Sequence, residues 1–358
     1  MSKKLVVVAG GTGGHIFPGI AVADYLKQQG WQVSWIGTPD RMEASVVPKH
    51  GIDIDFINVK GVRGNGLKRL IKAPFMVLNA ILQARKVLKE QRPDVVLAMG
   101  GYVTGPTGIA AKSLGIPLVI HEQNAVAGMS NKLLAKVATR VLAAFPSAFA
   151  QGQAELVGNP VRQSVMNIAR RDVSSPINIL VVGGSLGAQV LNQTLPEAFK
   201  ALNNTAPISV WHQTGKGHLT TVEAAYKMHA FTGSNAKIAE FIDDMDAAYS
   251  WADIVVCRAG ALTVSEIAAA GKMAVFVPFP HAVDDHQTAN AQYLVMANGA
   301  LLMPQGQFNK QSIIELLSPY LAQPSLITEM ATNAKKQAIL DATASVATHC
   351  EQVTNKRK

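Results

Sequence analysis

Cysteine and long apolar runs are both scarce in this 358-residue chain. Its two cysteines, Cys257 and Cys350, are too few for a disulfide framework or a metal cluster. No apolar run approaches the ~20 residues that a membrane-spanning helix needs, and the N-terminal apolar run is too short for a signal peptide. We therefore expect a protein of the reducing cytosol that is neither secreted nor membrane-spanning.

Two common nucleotide-binding fingerprints are also missing. Counting from Gly11, Ile16 stands where the Gly-x-Gly-x-x-Gly pattern needs its third glycine, which disfavours an NAD site. The chain has no Gly-Lys-Ser or Gly-Lys-Thr, so the phosphate loop of nucleoside triphosphatases is absent. Aromatic residues are only 6% of the chain and no nucleic-acid module is recognisable, so we predict no nucleic-acid partner.

The N-terminal stretch 6–23 is an apolar strand that breaks into a glycine-rich turn and continues as a helix. Glycines let the backbone approach a bulky anion, and the first N–H groups of a helix can donate to a phosphate. His15 stands at this helix start, where it could be a catalytic group or an ordinary capping or packing residue. Stretch 95–106 repeats the pattern of strand and glycines and is a second candidate anion loop.

Strand and helix patterns alternate along the whole chain, which predicts an α/β protein with parallel sheets. The third strand is predicted at 55–59, the stretch 146–156 is predicted to be irregular, and the tail after Asn309 is predicted to hold two or three helices. The opening pattern of strand, glycine turn and helix recurs at residues 177–188, so we predict two doubly wound, Rossmann-like domains facing across a cleft. The breakers at 157–162 place the boundary between domains 1–160 and 161–358, and the last helix is a candidate to cross back to the first domain. Ligands of such sheets bind at the carboxyl ends of the strands.

Positive charge is concentrated in the first half of the chain. Residues 1–160 hold 18 Lys and Arg against 9 Asp and Glu, whereas residues 161–358 hold 15 of each. Between Lys60 and Arg92, nine basic residues and one acid alternate with apolar residues. This mixture suits an anionic membrane surface, although an ordinary amphipathic core helix with a solvated face is the alternative. The predicted docking residues are Lys68, Arg69, Lys72, Phe75 and Met76.

The second half carries two stretches suited to a nucleotide sugar. In stretch 257–266, backbone donors at a helix start could hold a diphosphate while Glu266 accepts both hydroxyls of a ribose. Alternatively, Glu266 only complements the helix dipole. Residues 284–291 place polar side chains at another helix start, where they could read sugar hydroxyls or simply form a solvated cap.

Taken in order, seven motifs spread over nearly the whole chain resemble one family. They are Gly10–His15 with Phe17-Pro18, Gly100–Tyr102, His121–Asn124, Gly158–Arg162, Gly183–Ser185, Ala261–Glu266 and the loop that contains Gln287. Together they resemble the bacterial peptidoglycan N-acetylglucosaminyltransferases of glycosyltransferase family 28. The resemblance implies the two-domain GT-B fold. It also implies inverting transfer of N-acetylglucosamine from UDP-GlcNAc to the C4 hydroxyl of undecaprenyl-pyrophosphoryl-MurNAc-pentapeptide (lipid I), which forms lipid II on the cytoplasmic face of the inner membrane.

The same resemblance implies the contacts of the donor nucleotide sugar. They fall on Thr12, Gly13, Gly14, Asn124, Arg162, Ser185, Ile242, Ala261, Leu262, Thr263, Val264, Ser265, Glu266 and Gln287. Leu186 departs from the family pattern, in which a glutamine is frequent at this position, so a side-chain contact is in doubt there. We expect no cofactor and no metal, because no Asp-x-Asp metal site is predicted and the backbone dipoles of helix N-termini would take the place of a divalent ion.

An inverting transfer needs a base for the proton of the attacking hydroxyl and no covalent intermediate. His15 is the first candidate and Glu122 the second, because an imidazole titrates near neutral pH and a helix start favours its neutral form. Two alternatives remain open. One is a UDP-GlcNAc 2-epimerase of the same architecture, and the other is a non-enzymatic sensor of sugar nucleotides.

Overall fold

The structure is a computed structural model that describes residues 2–59 and 67–355, with the backbone alone for residues 67–73, 234 and 283. The chain forms two compact units. Unit 1 is Met1–Val161 together with Ile339–Lys358, and unit 2 is Arg162–Ala338. The sequence-based boundary between residues 160 and 161 lies one residue from the first division between the units. Unit 2 ends at Ala338, and the last helix, which was the candidate to cross back to the first domain, lies in unit 1.

Unit 1 contains seven strands and six α-helices within its described residues. The strands are β1 (Lys4–Ala9), β2 (Gln32–Gly37), β3 (Asp53–Phe56), β4 (Val95–Gly100), β5 (Leu118–Glu122), β6 (Arg140–Ala143) and β7 (Glu155–Leu156). The helices are α1 (Gly13–Gln28), α2 (Met42–Val46), α3 (Leu67–Gln91), α4 (Thr104–Ser113), α5 (Met129–Leu134) and the C-terminal α14 (Ala342–Asn355).

Unit 2 contains six strands and eight α-helices in the residues that are described. The strands are β8 (Ile177–Val182), β9 (Ile208–Gln213), β10 (Ala236–Ala239), β11 (Ile254–Cys257), β12 (Met273–Phe276) and β13 (Ala300–Leu302). The helices are α6 (Gln163–Met166), α7 (Gln189–Asn203), α8 (Leu219–Met228), α9 (Met245–Trp251), α10 (Ala261–Ala270), α11 (His286–Val295), α12 (Lys310–Ala322) and α13 (Ser325–Lys336).

Both sheets are parallel and doubly wound. The strand order is β3-β2-β1-β4-β5-β6-β7 in unit 1 and β10-β9-β8-β11-β12-β13 in unit 2. The order reverses beside β1 and β4 in the first sheet and beside β8 and β11 in the second. In open α/β sheets the crevice at this switch point, outside the carboxyl ends of the strands, is where ligands bind. The glycine-rich turns after β1, β4 and β8 therefore occupy the ligand-binding edge.

Alternating side chains of β1 supply two separate cores in unit 1. Leu5, Val7 and Ala9 pack with α1 and α14, whereas Val6 and Val8 pack with α3 and α4 on the other face. A strand covered on both faces is apolar at every position, which is why the sequence of β1 does not alternate with polar residues. The core of unit 2 is built in the same way around β8 and α7.

Three details differ from the sequence expectations or complete them. The third strand was expected at 55–59 but lies at Asp53–Phe56, where it pairs with residues 34–37 of β2. Beyond its end, the Asn58 N–H donates to Gln83 Oε1 at 3.0 Å. The short β7 falls in a stretch expected to be irregular. The tail after Asn309, expected to hold two or three helices, contains α12, α13 and α14.

Candidate active site

The first glycine turn holds His15 against the second one. His15 is the third residue of α1, and its Nδ1 lies 3.3 Å from the Gly10 carbonyl oxygen. A Cβ on Gly100 would lie 2.6 Å from the His15 ring, and Gly100 also has a φ of +118°. A glycine is therefore required at position 100 for both conformation and space. Because a carbonyl can only accept, Nδ1 carries a proton, and in the neutral form of the ring the lone pair is on Nε2.

Glu43, a buried acid that the sequence analysis did not identify, holds the first glycine turn in place through hydrogen bonds. Glu43 of α2 is fully buried; its Oε2 accepts from the Gly11 N–H at 3.0 Å. Its Oε1 accepts from the Thr38 N–H at 3.0 Å and from the Thr38 hydroxyl at 2.7 Å. The Gly11 amide is thus already engaged, so it is not among the donors that this turn offers to a ligand.

The second candidate base, Glu122, is enclosed by donors. It ends β5, is 2% exposed, and accepts from the backbone N–H groups of Asn124 and Gly128, each at 3.0 Å. The side-chain amides of Asn124 and Asn131 add two further hydrogen bonds, at 3.2 and 2.9 Å. Glu122 thereby organises the loop between β5 and α5, and Asn124, a predicted donor contact, is bound to it.

His121 precedes Glu122 and is fully buried. Its Nε2 donates to the Gly158 carbonyl oxygen at 2.9 Å, and its Nδ1 accepts from Gln123 Nε2 at 3.1 Å. Burial lowers the pKa of His121 to about 4, so the ring is neutral at physiological pH. It joins the motif at 121–124 to the breaker motif at 158–162 and takes no part in proton transfer.

An apolar surface lies along α3 and its neighbours in unit 1. Phe75, Leu78 and Leu82 are 75%, 54% and 56% exposed and recur at helical spacing, and Met76 is partly exposed. Two further exposed side chains, Met129 and Leu133, lie on α5, which packs beside α4. No helix in the described ranges is long and apolar enough to cross a membrane. The backbones of Lys68, Arg69 and Lys72 belong to α3, and their side chains lie outside the described part of the chain.

Unit 2 has a pocket of about 710 Å³ at the carboxyl ends of β8 and β11, within the usual size range of small-molecule sites. The helices α7 and α10 both begin at its wall, so their N-terminal dipole ends are directed at its contents. The lining consists of Val182, Gly183, Gly184, Gly187, Ala188, Gln189, Val190, Gln193, Arg258, Gly260, Thr263, Phe279, Gln287 and Gln305. We call this the donor pocket, because the sequence predicts that Thr263 and Gln287 of its lining contact the donor nucleotide sugar.

Arg258 is the side chain of the donor pocket that sequence reasoning overlooked. Its guanidinium donates to the carbonyls of Val277 and Pro278 at 3.0 and 3.1 Å and to Gln305 Oε1 at 2.7 Å. Burial lowers its pKa from an ordinary value far above neutrality, and an arginine guanidinium stays charged in proteins. Its position directly after β11 was a usable signal, whereas Gln305 reaches the pocket from a distant part of the chain.

Glu266 lies one turn along α10 at the centre of a charged cluster. Its Oε1 accepts from Arg162 at 3.4 Å and its Oε2 from the Tyr249 hydroxyl at 3.1 Å. Arg162 also lies 3.6 Å from Asp246. Burial raises the pKa of the Glu266 carboxyl, and the charge of Arg162 opposes that rise. Each carboxylate oxygen keeps a lone pair beyond these bonds.

The other residues predicted to contact the nucleotide sugar lie partly in exposed turns and partly in the core of unit 2. Ser185 is exposed in the turn after β8, beside Leu186, which is 77% exposed. Gln287 Oε1 accepts from the Phe279 N–H at 2.9 Å. By contrast, the side chains of Ile242 and Val264 are buried in unit 2, so they could meet a ligand only through their backbones. Ala261, Leu262 and Ser265 belong to the first turns of α10, and Thr12, Gly13 and Gly14 to the start of α1 in unit 1.

The residues that the structure describes contain no group of three His, Cys, Asp or Glu side chains that could hold a metal ion. Two Asp-x-Asp sequences occur, at 53–55 and 244–246. Asp55 accepts from Gln91, Asp244 caps α9, and Asp246 lies beside Arg162. Each sequence thus has a local partner within its own unit.

Comparison with known families decides between the architectures that share this topology. Residues 5–143 match the glycosyltransferase family 28 N-terminal domain, and residues 178–346 match the C-terminal domain of that family. The chain belongs to glycosyltransferase family 28. The predicted fold class, two doubly wound domains of the GT-B type, is thereby confirmed.

Relatives of this family 28 chain match it over its full length. The protein of Pseudoalteromonas translucida named UDP-N-acetylglucosamine–N-acetylmuramyl-(pentapeptide) pyrophosphoryl-undecaprenol N-acetylglucosamine transferase is 87% identical, covering 100% of both chains. The protein of that name from Shewanella piezotolerans is 52% identical over 99% of this chain and 98% of its own.

Solved structures give the same assignment for this family 28 chain. MurG of Acinetobacter baumannii superposes with a TM-score of 0.84 at 41% identity, over 98% of this chain and 99% of that one. A UDP-GlcNAc 2-epimerase from Neisseria meningitidis has a TM-score of 0.67 at 15% identity, over 99% of this chain and 100% of its own. At that identity the likeness shows the fold alone.

Proposed function

We propose that this chain transfers N-acetylglucosamine from UDP-GlcNAc to the C4 hydroxyl of undecaprenyl-pyrophosphoryl-MurNAc-pentapeptide, converting lipid I into lipid II. The observation that carries the proposal is the donor pocket at the switch point of unit 2, in a chain 87% identical to a transferase named for this donor and acceptor. Unit 2 would bind the donor, and unit 1 would bind the acceptor.

Unit 2 supplies candidate groups for each part of UDP-GlcNAc, some in the lining of the donor pocket and others, Ser185 and Glu266, outside that lining. The N-terminal ends of α7 and α10, with Thr263 and Arg258 of the pocket and Ser185 in the turn after β8, would hold the diphosphate through backbone donors and one guanidinium. Glu266 would accept the two ribose hydroxyls with the lone pairs that Arg162 and Tyr249 leave available. Gln287 stays a predicted contact of the sugar, and Asn124 and the turn at 12–14 stay predicted contacts from unit 1.

His15 would act as the general base in a single displacement. The acceptor oxygen attacks the anomeric carbon, the bond from that carbon to the UDP oxygen breaks, and the acceptor proton passes to His15 Nε2. The hydrogen bond from Nδ1 to Gly10 selects the tautomer with its lone pair on Nε2. The negative charge on the departing UDP would be stabilised by the helix ends of the donor pocket and by Arg162 and Arg258.

The exposed side chains of α3 would dock unit 1 on the cytoplasmic face of the inner membrane. Phe75, Leu78 and Leu82 offer apolar surface for the boundary between headgroups and acyl chains. The same helix continues with Arg85, Lys86 and Lys89, each of which is worth about 1 kcal/mol near an anionic surface. This placement suits an acceptor whose polyprenyl chain stays in the bilayer.

Release of UDP in the presence and absence of acceptor tests the function. We expect UDP release from UDP-GlcNAc only when a polyprenyl-pyrophosphoryl-MurNAc-pentapeptide is added, with one disaccharide formed for each UDP. Epimerisation of free UDP-GlcNAc, or release that does not depend on the acceptor, would overturn the proposal.

A further inference from the structure

Unit 2 has a second cavity at the amino ends of its strands, whereas the donor pocket lies at their carboxyl ends. Its volume is about 300 Å³, at the lower end of the range for small-molecule sites. Its walls include the residues that directly precede β11 and β12, together with one side of α13. We call it the α13 cavity. It lies at the amino ends of the strands, so it belongs to no part of the site described above.

Positive charge dominates the wall of the α13 cavity. Its charged lining residues are five basic ones and a single acid, namely Arg170, Arg171, Lys272, Lys335, Lys336 and Asp253. The acid is already neutralised, because Arg171 holds Asp253 through contacts of 2.6 and 3.3 Å and the Asn178 N–H donates to it at 2.9 Å. The lining therefore carries four more positive charges than negative ones, although Asp253 also interacts electrostatically with Lys272.

Lys272 is the buried member of this set. Its residue is only 5% exposed and lines the cavity, and its ammonium forms no hydrogen bond with the residues that the structure describes. Lys335 differs, since its ammonium donates to the carbonyl oxygens of Ala269 and Met166. The Lys272 ammonium is not fully enclosed, so it can meet a ligand in the cavity, and an anion there would give it a hydrogen-bonded partner. Burial lowers the pKa of Lys272, and the nearby Asp253 carboxylate opposes that shift.

We propose that the α13 cavity binds a small, soluble phosphate-bearing anion, with Lys272 as its innermost ligand and Arg170 and Lys336 at the rim. A phosphate or pyrophosphate carries several negative charges and so matches a set of unbalanced cations better than a single carboxylate does. Thr328 adds a hydroxyl to the lining, whereas the Thr332 hydroxyl already donates to the Thr328 carbonyl oxygen at 2.7 Å. None of the large exposed apolar side chains of unit 2 lines this cavity, which favours a soluble ligand over a lipid headgroup.

Calorimetric titration of the full chain with inorganic pyrophosphate tests the proposal. Saturating UDP-GlcNAc, added without acceptor, fills the donor pocket and is too bulky for a 300 Å³ cavity. We expect one pyrophosphate to bind under these conditions. Lys272→Met should weaken that binding about tenfold or more, the loss that one charge-assisted hydrogen bond implies. Lys336→Gln, a change at an exposed position, should weaken it about threefold.

Lys227→Met is the matched control, because it removes one exposed lysine of α8 outside the cavity and changes the net charge equally. It should keep the wild-type affinity for pyrophosphate. No pyrophosphate binding by the wild type, or an equal loss in the Lys227→Met and Lys272→Met variants, would overturn the proposal. So would a Lys272→Met variant that loses sedimentation with phosphatidic acid vesicles but keeps pyrophosphate binding. The affinity for UDP-GlcNAc, measured separately, reports on the donor pocket alone.

Discussion

His15 and Glu122, the two residues predicted as proton acceptors, differ in how their acceptor atoms are used. The Glu122 carboxylate already accepts two backbone and two side-chain hydrogen bonds in a buried position. His15 is only partly buried, and its bond to the Gly10 carbonyl uses Nδ1, so the neutral ring has its lone pair on Nε2. The four hydrogen bonds of Glu122 indicate that it shapes the loop after β5, and His15 stays the proposed base.

Replacing His15 by alanine should lower kcat by roughly 10²–10⁴-fold, the usual contribution of a general base. The affinity for UDP-GlcNAc should stay within about twofold, because the donor pocket lies in unit 2. Acceptor-dependent UDP release measures kcat, and calorimetry measures donor binding. A variant that turns over at the wild-type rate would remove His15 from the base role.

Glu122→Gln should mainly lower stability, whereas His15→Ala should mainly lower kcat. An amide in place of the carboxylate turns an NH₂ group toward donors, so we expect a loss of roughly 1–3 kcal/mol in the free energy of unfolding. The kcat of the folded variant should fall far less than that of His15→Ala. Urea unfolding and UDP release, measured on the same preparation, separate the two effects. Full stability combined with abolished turnover would instead make Glu122 the base.

At the scale of elements, the repeated unit of strand, glycine turn and helix could be predicted because each step has a local cause. An apolar run makes a buried strand, and glycines permit the turn. The bounds of β3 were not predicted correctly, because the apolar pattern does not show where the pairing with β2 begins and ends. Glu43 and Gln305 were missed for a different reason. Their roles depend on contacts with distant segments, which spacing along the chain does not reveal.

The exposed face of α3 gives a prediction for membrane binding. Phe75→Ser combined with Leu82→Ser should weaken sedimentation with anionic vesicles at least about tenfold, because full burial of each side chain is worth roughly 1.5–3 kcal/mol. The stability of unit 1 should not change, since both side chains are largely exposed. Met228→Ser, at a position on α8 that is 75% exposed, is the matched control and should bind like the wild type. Equal binding by the double variant would place the docking surface elsewhere.

At the scale of the whole molecule, each unit contains a buried neutral histidine. His121 belongs to unit 1, and burial lowers its pKa to about 4. His212 of unit 2 lies between Tyr226 and Asn192, at 3.0 Å from each, and burial lowers its pKa to about 3. Both pKa values are depressed below the ordinary value of 6.5, so the unfolded chain binds protons more readily than the folded one. Acidification should therefore destabilise both units.

This linkage fixes the pH window and the size of the effect. Above about pH 6.5 both rings are neutral in the folded and in the unfolded chain, so their contribution to the free energy of unfolding is fully present. That contribution declines as the pH falls from about 6.5 toward 4 for His121 and toward 3 for His212. Between pH 7 and pH 5 each ring should cost about 2 kcal/mol of unfolding free energy. Urea titrations at several pH values measure the slope, and His212→Gln should remove the share that belongs to unit 2 while leaving that of unit 1. An unchanged slope in that variant would mean that other groups account for the acid sensitivity of unit 2.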